Sequence, residues 1–323
     1  MATGPMTSDG VPLDVLRTRR QRALNEYNSQ PSLRQLLCEP TWQDYFYVNQ
    51  NAKVMRQIAS DTERAPRFSV DEQYITLPDP KKYGLATGVT QDSIHFGVTE
   101  AQVMDEHNTA IQADIRLQNQ IMVKTMLTDG QWWDATAAPP RFANNTMASS
   151  HDHYLAYDVA GVLALTHINR ATRHIREHGI SANSEIICLM NGDNLELLGN
   201  QAEWISAVAQ KSDLLETWQK FGYKIIGVAG GATLIENDYV PENYALFLDI
   251  NAPRKPLAWR SGKLPNTPDT LQTFQTPPNS QYYLDEEYVR WASAAVQMRS
   301  SGVAMYLGHG TWTDPTVTEW AGV

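Results

Sequence analysis

The sequence has little cysteine and no long apolar run. Cys38 and Cys188 are its only cysteines among 323 residues, and they lie far apart. This excludes a disulfide framework and fits a reducing compartment. The longest apolar runs, at 159–165 and 186–190, fall far short of the roughly 20 residues that cross a bilayer. The N-terminus lacks a basic segment followed by an apolar stretch, so we expect no secretory signal and a cytoplasmic chain.

Positive charge is also scarce, because the formal net charge is -10. Such a surface repels nucleic acid as a whole, which excludes sequence-specific DNA recognition as the main function. The local exception is a basic cluster made of Arg17, Arg19, Arg20 and Arg22. It could touch phosphates or carboxylates on a neighbour, but a solvated helix face explains it more simply.

Catalytic motifs are missing as well. The sequence has no G-x-S-x-G elbow, no H-E-x-x-H helix and no C-x-x-C pair. Segment 227–232 is glycine-rich, but it lacks the spacing of a phosphate-binding loop and is interpreted as a strand exit. We therefore expect no enzyme activity and no cofactor.

Two groups of histidines are the remaining candidates for chemistry. His151 and His153 would lie on one side of an extended segment, which suits a metal, but two ligands do not make a site. Packing or interface hydrogen bonds explain them more simply. A second group shares one helix face, and it comprises His167, Arg170, His174 and His178. A metal or phosphate site is conceivable there, but a solvated or subunit-contacting surface is the simpler interpretation.

What the sequence does contain begins with two segments that cannot bury their own apolar side chains. Residues 1–62 show no sustained periodicity and carry an aromatic cluster, Trp42, Tyr45, Phe46 and Tyr47. We expect this arm to lie on another domain or, preferably, on another subunit. Residues 63–97 have strand-like alternation followed by turn residues, which predicts a long hairpin that depends on an assembly for support.

A single long helix follows. Thr99 and Gln102 form a capping box, and no Gly or Pro interrupts 99–128. A helix of this length extends about 45 Å at 1.5 Å per residue. Its apolar positions are Val103, Met104, Ala110, Ile111, Leu117, Ile121, Met122 and Met126.

The next part of the chain predicts a compact α/β unit over 151–238. Its elements are a helix at 158–178, a strand at 185–190 without polar alternation, and a strand at 223–228. From 239 to 323 the pattern is rich in strands. The last two, at 288–298 and 303–307, are expected to complete a sheet beside the long helix.

The order of these elements resembles the Hong Kong 97-type capsid fold of tailed bacteriophages. The resemblance covers nearly the whole chain, although Asn243 replaces the glycine usual in one of its motifs. The segments that carry it are 82–90, 151–155, 239–246, 288–296 and 302–306.

This resemblance implies an α+β fold in five parts. They are an N-terminal arm (1–62), an extended β-hairpin loop (63–97), a peripheral domain with a long spine helix (98–150), an axial domain (151–238), and a β-rich return to both domains (239–323). The apolar residues expected on the spine helix are Val103, Ile111, Leu117, Ile121 and Met122.

The resemblance also implies a function in assembly. It predicts a major capsid protein that forms hexamers and pentamers of an icosahedral virion shell around double-stranded phage DNA, assembled in the host cytoplasm. Portal, scaffolding or decoration proteins are expected partners, and no membrane is. The residues expected to contact other subunits are Trp42, Tyr45, Phe46, Tyr47, Phe68, Val70, Tyr74, Lys81, Lys82 and Tyr83.

Some members of this family cross-link a lysine to an asparagine between subunits, and Lys81 and Lys82 lie at the predicted hairpin turn. Nothing in the sequence identifies the partner asparagine or a catalytic acid. Two alternative functions stay open. One is an encapsulin-like nanocompartment shell built from a similar subunit, and the other is a metal-dependent enzyme that uses His151 and His153.

Overall fold

The structure of the protein is a computed structural model. It describes residues 5–43, 45–48, 73–128, 153–159, 163–177, 184–199, 225–252, 254–264, 268–277, 281–297 and 301–317.

In the described part of the chain, about as many residues lie in helices as in strands. The helices are α1 (Leu13–Ser29), α2 (Leu33–Leu37), α3 (Gln91–His95), α4 (Glu100–Thr128), α5 (Leu165–Glu177) and α6 (Gly192–Gly199). The strands are β1 (Cys38–Thr41), β2 (Tyr45–Val48), β3 (Gln73–Thr76), β4 (Lys81–Thr90), β5 (Tyr154–Ala156), β6 (Ile186–Met190), β7 (Ile225–Ala229), β8 (Ala232–Glu236), β9 (Tyr244–Asp249), β10 (Leu257–Arg260), β11 (Gln272–Thr276), β12 (Tyr282–Val296) and β13 (Gly302–Tyr306).

The long helix α4 is confirmed, and its capping box holds its first turn. The Gln102 backbone N–H donates to Thr99 Oγ1 over 3.2 Å, and the Thr99 N–H donates to Gln102 Oε1 over 2.9 Å. Of the five apolar residues expected on the spine helix, Val103, Ile121 and Met122 are buried. The remaining two, Ile111 and Leu117, are half-buried.

A five-stranded peripheral sheet lies against α4. Its order is β1-β10-β12-β11, and β4 also pairs with β12. The β4–β12 ladder is antiparallel and joins Lys81–Ala292 at one end to Thr90–Tyr282 at the other. This ladder is long because β12 has fifteen residues, so one strand supports β4, β10 and β11 together.

The described strands of the segment 63–97, for which a hairpin was predicted, do not pair with each other. β3 pairs with β2, whereas β4 belongs to the peripheral sheet. Alternating apolar residues correctly indicated strands here, but alternation does not specify which strand is the partner. The outer part of the segment, including Phe68 and Val70, lies outside the described residues.

A six-stranded axial sheet has the order β5-β13-β9-β6-β8-β7. Every residue of β6 is buried, as its lack of polar alternation predicted. One face of this sheet packs on α5 and α6, and the other packs on the C-terminal half of α4 and on β10 and β12. The second interface is the main core of the protein, because it joins both sheets.

The closing strands and the start of α5 differ from their predictions. The closing strands do not share a sheet: β12 lies in the peripheral sheet beside α4, whereas β13 pairs with β9 and β5 in the axial sheet. The helix predicted at 158–178 begins at Leu165, since the described residues 158, 159, 163 and 164 are not helical. The interpretation of 227–232 as a strand exit holds, since Gly230 and Gly231 turn the chain from β7 into β8 with positive φ.

For the first helix of the N-terminal arm, the preferred prediction of contact with another subunit does not hold, because α1 packs on α4 of its own chain, as the alternative of contact with another domain allowed. Leu13, Leu16 and Leu24 are buried in this contact, so the segment does not need another subunit to cover them. The sequence did not indicate this contact, because polar residues separate these leucines. None of the helices in the described part of the chain combines the length and apolar composition that a membrane span requires.

We expect Leu16→Ala to lower the free energy of unfolding by about 2–5 kcal/mol, because it leaves a cavity under α1. Val15 is the matched control, since its side chain is 42% exposed while that of Leu16 is fully buried. Val15→Ala should change stability by less than about 0.5 kcal/mol. Chemical denaturation of the unassembled protein measures both, and equal effects would contradict the docking of α1.

Candidate functional site

The residues expected to contact other subunits begin with the aromatic cluster of the arm. Trp42 follows β1, and its side chain is exposed. Tyr45, Phe46 and Tyr47 lie in β2, where Tyr47 pairs with Tyr74 of β3. The backbones of β2, from the arm, and β3, from the loop, thus form one small two-stranded sheet.

Lys81, Lys82 and Tyr83 lie at the start of β4 rather than at the tip of a hairpin, which corrects their predicted position. Lys82 Nζ lies 3.0 Å from Glu287 Oε1, across the β4–β12 ladder. Tyr83 is half-buried and packs against the main core. A covalent lysine–asparagine cross-link stays a prediction.

The peripheral sheet has one face turned away from α4. Because side chains alternate along a strand, Glu287 and Trp291 point opposite to Tyr288 and Arg290, which contact α4. Phe274 pairs with Glu287 and shares its face. Phe274 and Trp291 are 52% and 41% exposed. We call this surface the outer sheet face, and its exposed aromatic side chains are typical of protein interfaces.

The inner face of the same sheet holds a buried ion pair with α4. The guanidinium of Arg290 donates two hydrogen bonds to the carboxylate of Asp114, and both side chains are almost fully buried. Tyr27 Oη of α1 donates to Asp114 Oδ2 over 2.6 Å, and Gln118 Nε2 donates to it over 2.8 Å. Burial and the Asp114 charge raise the pKa of Tyr27, so its hydroxyl stays protonated as a donor.

Further polar contacts connect this ion pair to α2 and β10. Arg34 Nε donates to Gln118 Oε1 over 2.8 Å, and its guanidinium forms an ion pair with Asp269. Asp269 Oδ1 also accepts a hydrogen bond from Trp259 Nε1 over 3.1 Å. Arg34 lies over the Trp259 ring, with its guanidinium carbon 5.2 Å from the centroid. The arrangement is a connected polar network in which charges of both signs are paired.

A second polar cluster holds the first half of α1. Arg20 is 1% exposed, and its Nη1 lies 3.2 Å from Glu286 Oε2 on β12. Tyr288 Oη donates to Glu286 over 2.8 Å and lies 2.7 Å from His107 Nδ1. For Arg20, the interpretation of the basic cluster as a solvated face is therefore wrong. Arg19 and Arg22 are exposed as that interpretation requires.

The sequence did contain an indication of these polar residues. His107, Asp114 and Gln118 lie at helical spacing with Val103 and Ala110, inside the buried stripe of α4. Polar residues at such positions need buried partners, but the sequence does not name them. The partners come from α1, α2 and β12, which are far away in the chain.

The histidine candidates do not come together as a metal site in the described residues. His153 is buried, its Nδ1 lies 2.7 Å from the Gly302 carbonyl oxygen, and its ring meets that of His174 edge-on at 4.9 Å. His167 instead stacks on Tyr157 at 4.4 Å. Within the described ranges, no three His, Cys, Asp or Glu side chains gather as metal ligands. His151 and His178 lie outside these ranges.

We expect Asp114→Asn to lower the free energy of unfolding by about 3–5 kcal/mol, because it leaves the buried Arg290 charge uncompensated. Asp105→Asn, on the exposed side of the same helix, is the matched control and should be nearly neutral. The double variant Asp114→Leu, Arg290→Met should lose less than the sum of its single variants. Denaturant titration measures all of them, and additive losses would show that the two residues are not coupled.

Acidification should weaken the second cluster through His107. Burial and the neighbouring Arg20 hold the pKa of His107 below its ordinary value of about 6.5, so the folded protein binds fewer protons than the unfolded chain. Its contribution to stability is therefore complete above pH 6.5 and is lost as the pH falls below it. The difference in unfolding free energy between wild type and His107→Gln, followed from pH 7.5 to 5, isolates this contribution. A difference independent of pH would contradict it.

Comparisons with known proteins were informative only at the level of structure. No protein-family model matches the chain, and no curated protein is similar to it in sequence. A protein of Mycobacterium phage Patience is similar in structure with a TM-score of 0.62 and 19% identity, covering 97% of this chain and 93% of that one.

Two further structures have the same architecture. The cyanophage P-SCSP1u capsid gives a TM-score of 0.57 at 8% identity, covering 87% of this chain and 89% of that one. The mature capsid of bacteriophage PhiM1 gives 0.55 at 14% identity, covering 86% and 87%. The likeness extends over most of each chain, so it concerns the whole architecture rather than one sheet. The chain therefore has the α+β fold of tailed-phage capsid proteins, the Hong Kong 97-type fold that its sequence predicted.

Proposed function

We propose that this chain is the major capsid protein of a tailed bacteriophage and self-assembles into an icosahedral shell around double-stranded DNA. The observation that carries the proposal is the likeness of nearly the whole chain to phage capsid structures. A fold alone does not define a function, so the surfaces of this chain must also suit assembly.

The exposed aromatic side chains support an assembly role. Trp42 projects where the chain leaves the peripheral sheet, and Phe274 and Trp291 lie on the outer sheet face. Phe96 is 90% exposed at the turn between α3 and α4. Aromatic residues are enriched at protein interfaces, and a chain that exposes several of them gains from contact with copies of itself.

The further partners and the location follow from the same proposal. Non-specific enclosure of DNA suits a chain with a net charge of -10, because an acidic inner wall would not hold the phosphates tightly. Portal, scaffolding or decoration proteins are the other proposed partners. The virion capsid is the proposed location, with assembly in the host cytoplasm.

The two alternatives have less support. An encapsulin-like nanocompartment shares the fold, but the similar structures with the higher TM-scores come from phages. A metal-dependent enzyme using His151 and His153 gains no support from His153, whose ring is buried against Gly302 and His174. We propose a structural rather than an enzymatic role.

Electron microscopy of the purified chain tests the proposal, with hollow shells or hexamer and pentamer rings as the expected result. The variant Phe274→Ser, Trp291→Ser should assemble at least about ten-fold less well, because it removes two exposed aromatic anchors. Its unassembled form should unfold within about 1 kcal/mol of wild type, since both side chains are exposed. A wild-type chain that stays monomeric under every assembly condition would contradict the proposed function.

A further inference from the structure

In the described residues of the axial part of the chain, basic side chains are confined to one helix. All described arginines of this part lie on α5, where Arg170, Arg173 and Arg176 are exposed. We call these three residues the basic face. The remaining described residues, in 153–159, 184–199 and 225–250, contain no lysine or arginine at all.

Acidic residues gather elsewhere on the same sheet. Five of them lie at the end of β8, in the segment that follows it and in the first turns of α6, and we call them the acidic edge: Asp193, Glu196, Glu236, Asp238 and Glu242. The two segments are adjacent, because the Asn237 N–H donates to the Met190 carbonyl oxygen over 2.9 Å just before α6 begins. All but Glu236 are exposed.

The basic face and the acidic edge reach opposite ends of β8. Arg176 Nη2 donates to the Gly231 carbonyl oxygen over 3.2 Å, and Thr172 Oγ1 donates to that of Gly230 over 2.9 Å, so the end of α5 lies where β8 begins. Glu236 is the last residue of β8. A five-residue strand spans about 13 Å, which exceeds the screening length of roughly 8 Å in physiological salt. The acidic edge therefore does little to neutralise this end of α5 within one chain.

Two acidic residues at this end of the axial sheet, Asp249 and Glu185, are already engaged within the chain. Asp249 is buried, and its Oδ1 accepts the N–H groups of Glu185 and Asn251 over 3.2 and 3.0 Å. Glu185 Oε2 accepts a hydrogen bond from Asn251 Nδ2 over 2.7 Å. Arg170 is exposed, and its guanidinium carbon lies 5.7 Å from the centroid of the Tyr157 ring.

We infer that the basic face of one copy contacts the acidic edge of the next copy in an assembled ring. This inference rests on the proposed function and names the partner of one of its contacts. A chain with a basic face and an acidic edge at separate positions is suited to head-to-tail association. Each copy then uses both surfaces, and rotation from one copy to the next closes the ring. Electrostatic complementarity of this kind selects the partner and its orientation.

Packaged DNA is the less favoured partner for the basic face. The acidic edge on the same sheet and the net charge of -10 both repel phosphate. A second copy, in contrast, supplies a surface of opposite charge.

Charge reversal tests the contact. The basic-face variant is Arg170→Glu, Arg173→Glu, and the acidic-edge variant is Asp238→Lys, Glu242→Lys. Each should need about ten-fold more protein than wild type to form rings or shells, because several like charges then face each other. A variant with all four substitutions restores opposite charges, so it should assemble near the wild-type concentration. Light scattering gives the onset, and electron microscopy identifies the particles.

Two controls separate charge from folding. Arg170→Lys, Arg173→Lys keeps the charge and should assemble as wild type does, whereas Arg22→Glu reverses an exposed charge on α1 and should have no effect on the onset. Thermal unfolding of the unassembled variants shows that each is folded, and the four-substitution variant provides the rescue that a folding defect would not allow.

The outcomes that overturn the inference are distinct from failure of the proposed function. If wild type forms shells and either reversal variant forms them at an unchanged onset, the inference is wrong while the proposed function stands. The same holds if the four-substitution variant is not rescued. Normal assembly of the basic-face variant with reduced retention of DNA would assign the basic face to nucleic acid instead. A wild-type chain that forms no rings or shells overturns both.

Discussion

The ion pair between Arg290 and Asp114 is the contact on which the peripheral half of the structure depends. It joins the longest strand to the longest helix, and both side chains are buried. A buried charge is tolerated only when it is paired and hydrogen-bonded, so β12 and α4 can pack in one register only. The hydroxyl of Tyr27 and the amide of Gln118 complete the coordination of the carboxylate and attach α1 to the same point.

Polar contacts thus hold the helices on the sheet in the peripheral half, whereas apolar packing holds them on the sheet in the axial half. The main core covers both sheets through the C-terminal half of α4, where Ile121, Met122 and Met126 are buried. In its first half the same helix presents His107 to Tyr288 and Asp114 to Arg290, both on β12. Apolar packing tolerates small shifts, whereas paired charges require a defined geometry. Directional contacts therefore fix α1, α4 and β12 relative to one another, whereas apolar packing joins the peripheral half to the axial half.

For the proposed shell function this division has a consequence. Assembly brings many copies into contact through extended surfaces, and the subunit must keep its shape while those contacts form. The rigid combination of α4 and β12 supports the outer sheet face with Phe274 and Trp291, while the axial sheet carries the separated charges of α5 and the acidic edge. Aromatic anchors contribute affinity, and charge patterns select the partner and its orientation.

The sequence by itself determined the elements whose cause is local. The capping box at Thr99 and the absence of Gly and Pro through Thr128 specified α4, and uninterrupted apolar residues specified β6. Family resemblance supplied the architecture. The predicted contact of the arm with another subunit does not hold for α1, since Leu16 packs on α4 of its own chain. Only the tertiary structure decided which strand pairs with β4 and that Arg20 and Asp114 are buried. The physical reason is that alternation and helical spacing are properties of neighbouring residues, whereas a strand partner or a buried counter-charge comes from residues far away in the chain.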